Sequence, residues 1–474
     1  MNQKMKKNLL TTISIALLAI TAGLSSCNDF LSVVPKGQKI PTTLADFDAL
    51  LRDEYGNQRT NVTQAILLLN DKFESASNLS YYQLYSANYN WDENADRIAF
   101  NHSDEGTYYN GYAAISTSNL IIEHAAEATE ASEADKAQLI AQAKILRATN
   151  YFVLANYYAD TYEEVSAASK LSVPLITSAD IDAPYVQVSI KELYDFMLKD
   201  IEEAIPNLRP AGATILHANL GAAYALSARI HLQMGHFDKA LSAANEALKQ
   251  NDKLYDWTQF YTQYKTQIEQ VNVYTNAPSP MGYDYVENYN FRHGVSIYRS
   301  NESNIRTDRA TRFEPGDAKF ASRWKIRTVG ADTYYKSITN GFFNYGGLTT
   351  TEVYLIKAEC LARQGDVTGA MNILNTVRKK RILPTVYADL TAATKQDAIR
   401  LINRTKGNEL ILSITPFADR RRLNKEEDYA QTLSKTENGK NLSLSPASHM
   451  WTMPFPQGAI KNHGNGSIQQ NVSK

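Results

Sequence analysis

The sequence predicts an all-α protein, a tetratricopeptide-like helical-repeat scaffold with a long irregular, partly β insertion. The first observation is that residues 218–250 return in altered form at residues 351–381. The matched positions keep one constant step along the chain and are Tyr224 and Tyr354, Ala228 and Ala358, Gly235 and Gly365, and Ala240 and Ala370. The second observation is that helical spacing is lost across residues 251–350. An ordinary pair of core hairpins without repeat ancestry is the alternative.

Each repeated segment reads as two helices joined by a tight turn. Gly235 supplies the backbone freedom that a helix end needs, and Ala228 and Ala240 allow the two helices to approach closely. One such hairpin cannot bury its apolar face alone and must stack on neighbours. Scaffolds of this kind usually bind partners or ligands rather than transform them.

The N-terminus has the pattern of a secretory signal. Lysines among the first residues are followed by an apolar stretch from Leu9 to Ala22 and by the small-residue sequence LSSC, which ends at Cys27. LSSC resembles the lipobox of bacterial lipoproteins. We therefore expect a signal peptide over residues 1–26, lipidation of Cys27 and an extended tether over residues 27–43, with plain secretion and a free thiol as the alternative.

Helical periodicity then continues along the chain. Residues 44–51 form a first apolar face, residues 57–104 are polar and aromatic and predict loops with a short helix, and helices are expected over residues 108–128 and 133–158. Repeats are assigned to residues 108–250 and 351–412. Within them we expect Arg147 to pair with an acid of a neighbouring helix, Ser189 to cap a helix, and Cys360 to lie in the core.

The remaining segments are less regular. Within the insertion, HGVSIYRS and FASRWKIRTV could form short strands. A further helix is expected to end near Pro416, followed by a basic cluster from Asp419 to Arg422. The Pro- and Gly-containing tail from Trp451 is expected to wrap the surface without forming an element.

Composition and motifs exclude several functional classes. A net charge of −1 argues against a nucleic-acid partner. The metalloprotease, nucleophile-elbow, Walker A and dinucleotide-binding signatures are absent, so we expect no enzyme activity and no cofactor. Asp92, Asn94 and Asp96 begin like a calcium loop, but Arg97 replaces the required glycine and Ser103 the closing glutamate, so no metal site is expected.

Aromatic residues are the positive signal, with 29 tyrosines against 15 phenylalanines. Flat rings stack on the apolar faces of sugars, and polar neighbours bind the hydroxyl groups. The candidate ligand-binding residues are Trp257, Tyr261, Tyr283, Tyr285, Tyr289, Phe291 and Arg292 in the insertion, with Tyr81 and Tyr82. The alternative for each ring is that it packs the insertion onto the helices, as we expect for Trp91 and Trp324 in the core.

The chain resembles the SusD/RagB family of surface lipoproteins nearly from end to end. The similar segments are CNDFLSVVP, KILRATNYFVLANYY, EVYLIKAECLARQGD with LNTVRKKR, and WTMPFPQGAI with the late Gln470-Asn471. One stretch departs from the family pattern, because Glu409-Leu410 is followed by Ser413, Ile414 and Pro416 before Asp419 and Arg422. On this resemblance, residues 44–474 form one SusD-like domain whose insertion at 251–350 holds the ligand.

The resemblance implies a lipid-anchored lid, facing the cell exterior, on a SusC-like TonB-dependent outer-membrane barrel. Its ligand would be a glycan, or a peptide as in some relatives. A repeat-based protein adaptor without a small ligand is a further hypothesis, and a membrane-anchored hydrolase is a third. Family sites vary between members, so the candidate residues rest on the aromatic argument alone.

Overall fold

A computed structural model describes residues 41–101, 105–270, 279–294, 300–437 and 439–474. The expected signal peptide, Cys27 and most of the expected tether lie outside these ranges, as does most of the strand expected in HGVSIYRS. The described residues are mainly helical and carry only small sheets, which confirms the predicted fold class. No helix in these ranges has the length and apolar character needed to cross a membrane.

The helices before the insertion include the two long ones that the sequence predicts. They are α1 (Leu44–Leu51), α2 (Thr63–Leu68), α3 (Ala76–Tyr81), α4 (Gln83–Asn90), α5 (Arg97–Phe100), α6 (Gly106–His124), α7 (Glu133–Tyr158), α8 (Ile190–Ala204), α9 (Leu220–Gln233) and α10 (Phe237–Gln250). Strands β1 (Leu171–Pro174) and β2 (Gln187–Ser189) pair before α8. Ser189 caps α8 by accepting from the backbone N–H of Glu192, as predicted.

Residues 57–104 contain several short helices where the sequence suggested loops and one short helix. Ser75 caps α3 and Asp96 caps α5, each by accepting from a backbone N–H of the first turn. The Ala65–Leu69 run is buried, so tertiary packing supports α2 despite its short length.

The insertion combines short helices with short antiparallel strands. Its elements are α11 (Trp257–Gln263), α12 (Lys265–Glu269), β3 (Asn288–Asn290), β4 (Ser300–Asn301), β5 (Ile305–Arg306), α13 (Thr307–Ala310), α14 (Ala318–Ala321), β6 (Trp324–Val329), β7 (Asp332–Ser337), β8 (Asn340–Gly341) and β9 (Leu348–Thr349). The largest sheet has three strands in the order β5-β7-β6. Strand β6 lies within FASRWKIRTV, where the sequence predicts a strand.

The C-terminal part contains α15 (Thr350–Arg363), α16 (Val367–Arg378), α17 (Lys395–Glu409), α18 (Thr415–Leu423), β10 (Leu433–Glu437), β11 (Lys440–Leu444) and α19 (Gln457–Lys461). The sequence analysis missed α18. Pro416 lies in the first turn of this helix, where a proline is compatible with helix formation. The basic cluster is therefore helical, and Arg421 and Arg422 are buried rather than solvated.

The expectation that the C-terminal tail only wraps the surface is wrong. Trp451, Met453 and Phe455 are buried in the main core, and residues 457–461 form α19. The Phe455 ring stacks on Tyr158 of α7 with centroids 5.4 Å apart. The tail packs into the core despite its prolines, because its apolar residues are buried against the aromatic surface of α7.

The two repeated hairpins stack as the sequence predicts. Helices α9 and α10 pair, α15 and α16 pair, and α10 packs on α15 so that the hairpins follow one another. Gly235 and Gly365 have φ of +75° and +92°, the left-handed conformation that a helix end favours in glycine. Cys360, Trp91 and Trp324 are buried, as expected.

Buried ion pairs join the helices. Arg147 of α7 donates from Nη2 and Nε to the Asp200 carboxylate of α8 at 2.7 and 2.8 Å, which is the predicted pair. Between α15, α17 and α18, the fully buried Glu359 carboxylate accepts from Arg422 at 2.8 and 3.0 Å and from Lys406 at 3.2 Å. These charges compensate one another, so the helices meet without leaving an unpaired buried ion.

Arg381 joins the insertion to the repeats. Its guanidinium donates to Glu409 at the end of α17 at 3.0 Å, to Glu287 of the insertion at 2.7 Å and to Thr351 of α15 at 2.7 Å. Lys319 of α14 donates to the same Glu409 carboxylate at 2.9 Å. Burial by itself would raise the pKa of Glu409, but the charges of Arg381 and Lys319 lower it to about 2. We call Arg381, Glu409, Lys319, Glu287 and Thr351 the Arg381 junction.

Replacing Glu409 by Gln should destabilise the protein by about 3 to 5 kcal/mol, because two buried cations then lose a shared carboxylate. The pKa of Glu409 is depressed from 4.5, so this stabilisation is complete above that pH and is lost as the pH falls toward about 2. Urea unfolding of the wild type and the E409Q variant across this pH range measures the difference.

The matched control is Glu203→Gln, which removes a carboxylate that is 44% exposed and pairs with Lys144 at the surface. We expect a change of at most about 1 kcal/mol for that variant. Equal losses in the two variants, or a loss in E409Q that does not shrink in acid, would contradict the structural role assigned to the Arg381 junction.

Candidate ligand-binding site

Trp257 and Tyr285, both expected to contact ligand, lie inside the insertion. The Trp257 side chain is fully buried, and its Nε1–H donates to the Tyr285 hydroxyl at 3.2 Å. Both pack in a small core of the insertion with Phe260 and Met281. In this structure neither ring has a face open to a ligand. Both rings therefore serve packing, which is the alternative to ligand binding given above.

Tyr289, Phe291 and Arg292 are also buried and tie the insertion to the scaffold. Tyr289 covers Gly221 of α9 so closely that a Cβ atom at residue 221 would lie 2.5 Å from its ring. The Arg292 Nη2 donates to the carbonyl oxygens of Asn57 and Arg59 at 3.0 and 3.2 Å. Burial, and then the charge of another arginine, lowers the pKa of Arg292 to about 10. Arg292 therefore binds backbone in the interior.

Tyr261 and Tyr283 are half-buried, and each hydroxyl is already bound. Tyr261 donates to Glu269 at 2.7 Å, and Tyr283 donates to Glu54 at 2.5 Å while its ring stacks on Phe342. Burial and then the hydrogen bond to Glu269 raise the pKa of the Tyr261 phenol to about 12. Their hydroxyl groups serve contacts within the insertion and with the loop after α1.

Tyr81 and Tyr82 are open to solvent. The side chains are 78% and 57% exposed, and α3, which ends at Tyr81, buries none of its residues. The Tyr82 ring lies 4.9 Å from that of Tyr85, at an angle of 30°. Exposed rings at the junction of α3 and α4 offer faces on which a flat apolar face can stack.

A second aromatic pair lies at the start of the same segment. Phe73 stacks on Tyr334 of β7 with centroids 4.3 Å apart and planes 8° from parallel. The backbone N–H of Phe73 donates to the Asn304 carbonyl at 2.8 Å, which holds the segment against the insertion. We call Phe73, Tyr81, Tyr82, Tyr85 and Tyr334 the tyrosine surface.

The sequence-based candidates include Tyr81 and Tyr82 of this surface but not Phe73, Tyr85 or Tyr334. Phe73 and Tyr334 are far apart along the chain, so no local pattern links them. Tyr334 lies in β7, for which the sequence analysis predicts no strand, and the stacking on Phe73 emerges only once β7 pairs with β5 and β6.

A cavity of about 860 Å³ lies where the insertion meets the scaffold. Its walls come from residues 309–315 of the insertion, from α17 and α18, and from residues 428–433. Leu69 and Asp71, just before Phe73, line it as well. Its charged lining consists of five arginines, Arg309, Arg312, Arg400, Arg404 and Arg420, and four acids, Asp71, Glu314, Asp419 and Asp428. We call it the basic cavity.

The segment that begins like a calcium loop forms ordinary turns. Asp92 accepts from the N–H of Asn94, and Asp96 caps α5. Within the described ranges, no group of three or more His, Cys, Asp and Glu side chains is placed to hold a metal ion.

Two family models together match most of the chain. One, described as "Starch-binding associating with outer membrane" (SusD-like), matches residues 29–232, and the SusD family model matches residues 234–473. The chain belongs to the SusD family. Among curated protein sequences, none matches it.

Solved structures of SusD-like proteins share the fold of this family member. A SusD superfamily protein from Bacteroides thetaiotaomicron has a TM-score of 0.68 at 17% identity, covering 91% of this chain and 100% of that chain. A SusD-like carbohydrate binding protein from Bacteroides vulgatus gives 0.62 at 17%, covering 91% and 100%. Surface glycan-binding protein A from Bacteroides uniformis gives 0.66 at 15%, covering 91% and 100%. At these identities the likeness concerns the fold.

The different burial of the candidate rings can be tested by stability. Trp257→Ala should cost about 3 to 5 kcal/mol of unfolding free energy, because it leaves a large cavity in the insertion core. Tyr81→Ala should change the unfolding free energy by no more than about 0.5 kcal/mol, because the ring is exposed. Chemical denaturation measures both, and a large loss for Tyr81→Ala would show that this ring is structural.

Proposed function

We propose that this protein is a cell-surface lipoprotein that captures a glycan and delivers it to a SusC-like TonB-dependent transporter in the outer membrane. The observation that carries the proposal is the tyrosine surface, where Tyr81 and Tyr82 are exposed and Phe73, earlier in the same segment, stacks on Tyr334 of the insertion. The ligand would thus lie at the boundary of scaffold and insertion.

The tyrosine surface has the chemistry that a sugar needs. A pyranose presents C–H groups on its faces and hydroxyl groups around its edge, so it combines ring stacking with hydrogen bonds at the rim. Beside the rings, Glu74 accepts from Asn78 at 2.6 Å and pairs with Lys72 at 2.6 Å. These carboxylate, amide and ammonium groups can exchange their mutual contacts for sugar hydroxyls.

The membrane and transporter parts of the proposal have separate support. The lipobox-like LSSC before Cys27 supports a lipid anchor, and family membership supports an outer-membrane location. The helical-repeat scaffold offers a broad surface for a protein partner. Family membership and the absence of catalytic signatures from the sequence support a binding role without catalysis.

Glycan binding should depend on the exposed rings. Replacing Tyr81 and Tyr82 together by Ala should weaken a bound oligosaccharide at least about tenfold, or about 1.4 kcal/mol, because stacking faces are lost. A glycan array identifies the ligand, and isothermal titration calorimetry measures the affinity. Tyr55→Ala is the control, since Tyr55 is 62% exposed and lies outside the 73–85 segment.

If the double variant binds as the wild type does, the tyrosine surface is not the glycan site. If parallel screens show binding of peptides and of no glycan, the ligand is a peptide and the glycan proposal is wrong. Absence of any small ligand would favour a protein adaptor.

The anchor and the partner are tested in the native membrane. Solubilisation in mild detergent and isolation through a C-terminal tag should recover a large β-barrel transporter in near-equal amount. Cys27→Ser should release the protein from the membrane fraction, because the acyl chains that hold it are no longer attached. Recovery of the protein alone, or with a soluble partner, would contradict the delivery role.

A further inference from the structure

The basic cavity contains arginines that the protein itself does not neutralise. The Arg312 guanidinium makes no hydrogen bond or ion pair with any of the described residues, although it is accessible within the cavity. Arg420 donates from Nη1 to the Tyr429 carbonyl at 3.0 Å and has no carboxylate partner among those residues. Two cations on the walls of one cavity therefore have no directly contacting carboxylate among the described residues.

The carboxylates of the same walls are already paired. Asp71 accepts from Arg309, which also donates to Asn408 at 2.8 Å. Asp419 pairs with Lys406 at 2.8 Å and with Arg422 at 3.0 Å, and both of these cations come from behind the cavity wall.

Of the two remaining carboxylates, Glu314 follows the same pattern and Asp428 does not. Glu314 accepts from Arg378 at 2.7 Å and lies 3.5 Å from Arg404. Asp428 accepts from Gln396 at 3.4 Å, and its backbone carbonyl accepts from Arg400 at 2.9 Å. Except for Asp428, each acid of the lining pairs with a cation other than Arg312 and Arg420. These two arginines are therefore available to bind an anion.

The electrostatics agree with this geometry. Burial, and then the charge of Arg309, lowers the pKa of Arg312. Burial, and then the charge of Arg312, lowers the pKa of Arg420 to about 10. Each guanidinium would regain favourable interactions if an oxyanion bound beside it, because charge-assisted hydrogen bonds to arginine are strong and can be bidentate.

The cavity also suits the uncharged part of a sugar. Its volume of about 860 Å³ far exceeds that of an inorganic anion and falls within the range of small-ligand sites. Phe313 and Tyr429 line it with aromatic rings.

We propose that the basic cavity binds an acidic saccharide unit, whose carboxylate or sulfate is held by Arg312 and Arg420 while its ring packs beside Phe313 and Tyr429. The saccharide part of this inference rests on the proposed function, and the anion-binding part rests on the arginines alone. Asp71 lines the cavity just before Phe73 in the chain, so one acidic glycan could extend toward the tyrosine surface.

The test uses the mature full chain and four probes in isothermal titration calorimetry. An oligogalacturonate carries carboxylates, a sulfated galactan oligosaccharide carries sulfates, a neutral galacto-oligosaccharide of the same length carries neither, and a glutamate tetrapeptide carries carboxylates without sugar. At least one acidic saccharide should bind more tightly than the neutral one, and the preference should fall as salt concentration rises.

Arg312→Gln should weaken the acidic saccharide at least tenfold, and Arg312→Lys should weaken it less, because it keeps the charge but loses the bidentate guanidinium. Arg209→Gln removes the same charge from a site outside the cavity, where the arginine is 56% exposed and pairs with Asp135, and should bind as the wild type does. Thermal unfolding of each variant checks that the fold is retained.

Equal affinity of the Arg312→Gln and Arg209→Gln variants would overturn the proposal, as would binding of the glutamate peptide in place of any saccharide. If the wild type binds neutral glycan and only the replacement of Tyr81 and Tyr82 abolishes this binding, the present inference is wrong. The proposed function is then still supported. Failure of every saccharide to bind would overturn both.

Discussion

The docking of the insertion on the helical repeats depends on the buried Arg381 junction. Arg381 closes the second repeated hairpin, and its contacts with Glu409 and Glu287 bring the end of α17 and the insertion to one point. Lys319 adds a second cation from the insertion to Glu409. Because a buried charge is costly unless it is paired, the insertion can dock only where these partners meet. This position sets the walls of the basic cavity and holds β7 where Tyr334 reaches Phe73.

The aromatic residues of the insertion make two kinds of contact. Trp257, Tyr285 and Tyr289 give the insertion its own core and its contact with α9, so their contribution is stability. Tyr334 lies in β7 of the insertion and stacks on Phe73 of segment 73–85. A binding protein needs both groups of rings, since exposed rings keep their positions only when the elements that carry them are rigid.

Short-range patterns in the sequence predict structure correctly here, whereas elements that depend on distant segments are not predictable from it. The bounds of α7 and the cap of α8 were predicted correctly, because helical periodicity and Ser189 act within a few residues. Helix α18 was not predicted, and the C-terminal tail was expected only to wrap the surface. Pro416 and the tail prolines read as helix breakers, whereas first-turn geometry and the aromatic surface of α7 accommodate them.

By itself, the sequence determined the helical-repeat scaffold, the turn glycines Gly235 and Gly365, and the resemblance to a lipoprotein family, since each of these is a local pattern of residues. The tertiary structure alone decided which rings face solvent and which arginines lack a carboxylate. Nothing in the sequence distinguishes Arg312 and Arg420 from other arginines. They lack a carboxylate partner because Lys406, Arg422 and Arg378 pair with the acids of the cavity. Exposure and charge balance are sums over segments that are distant along the chain, so only the folded chain reveals them.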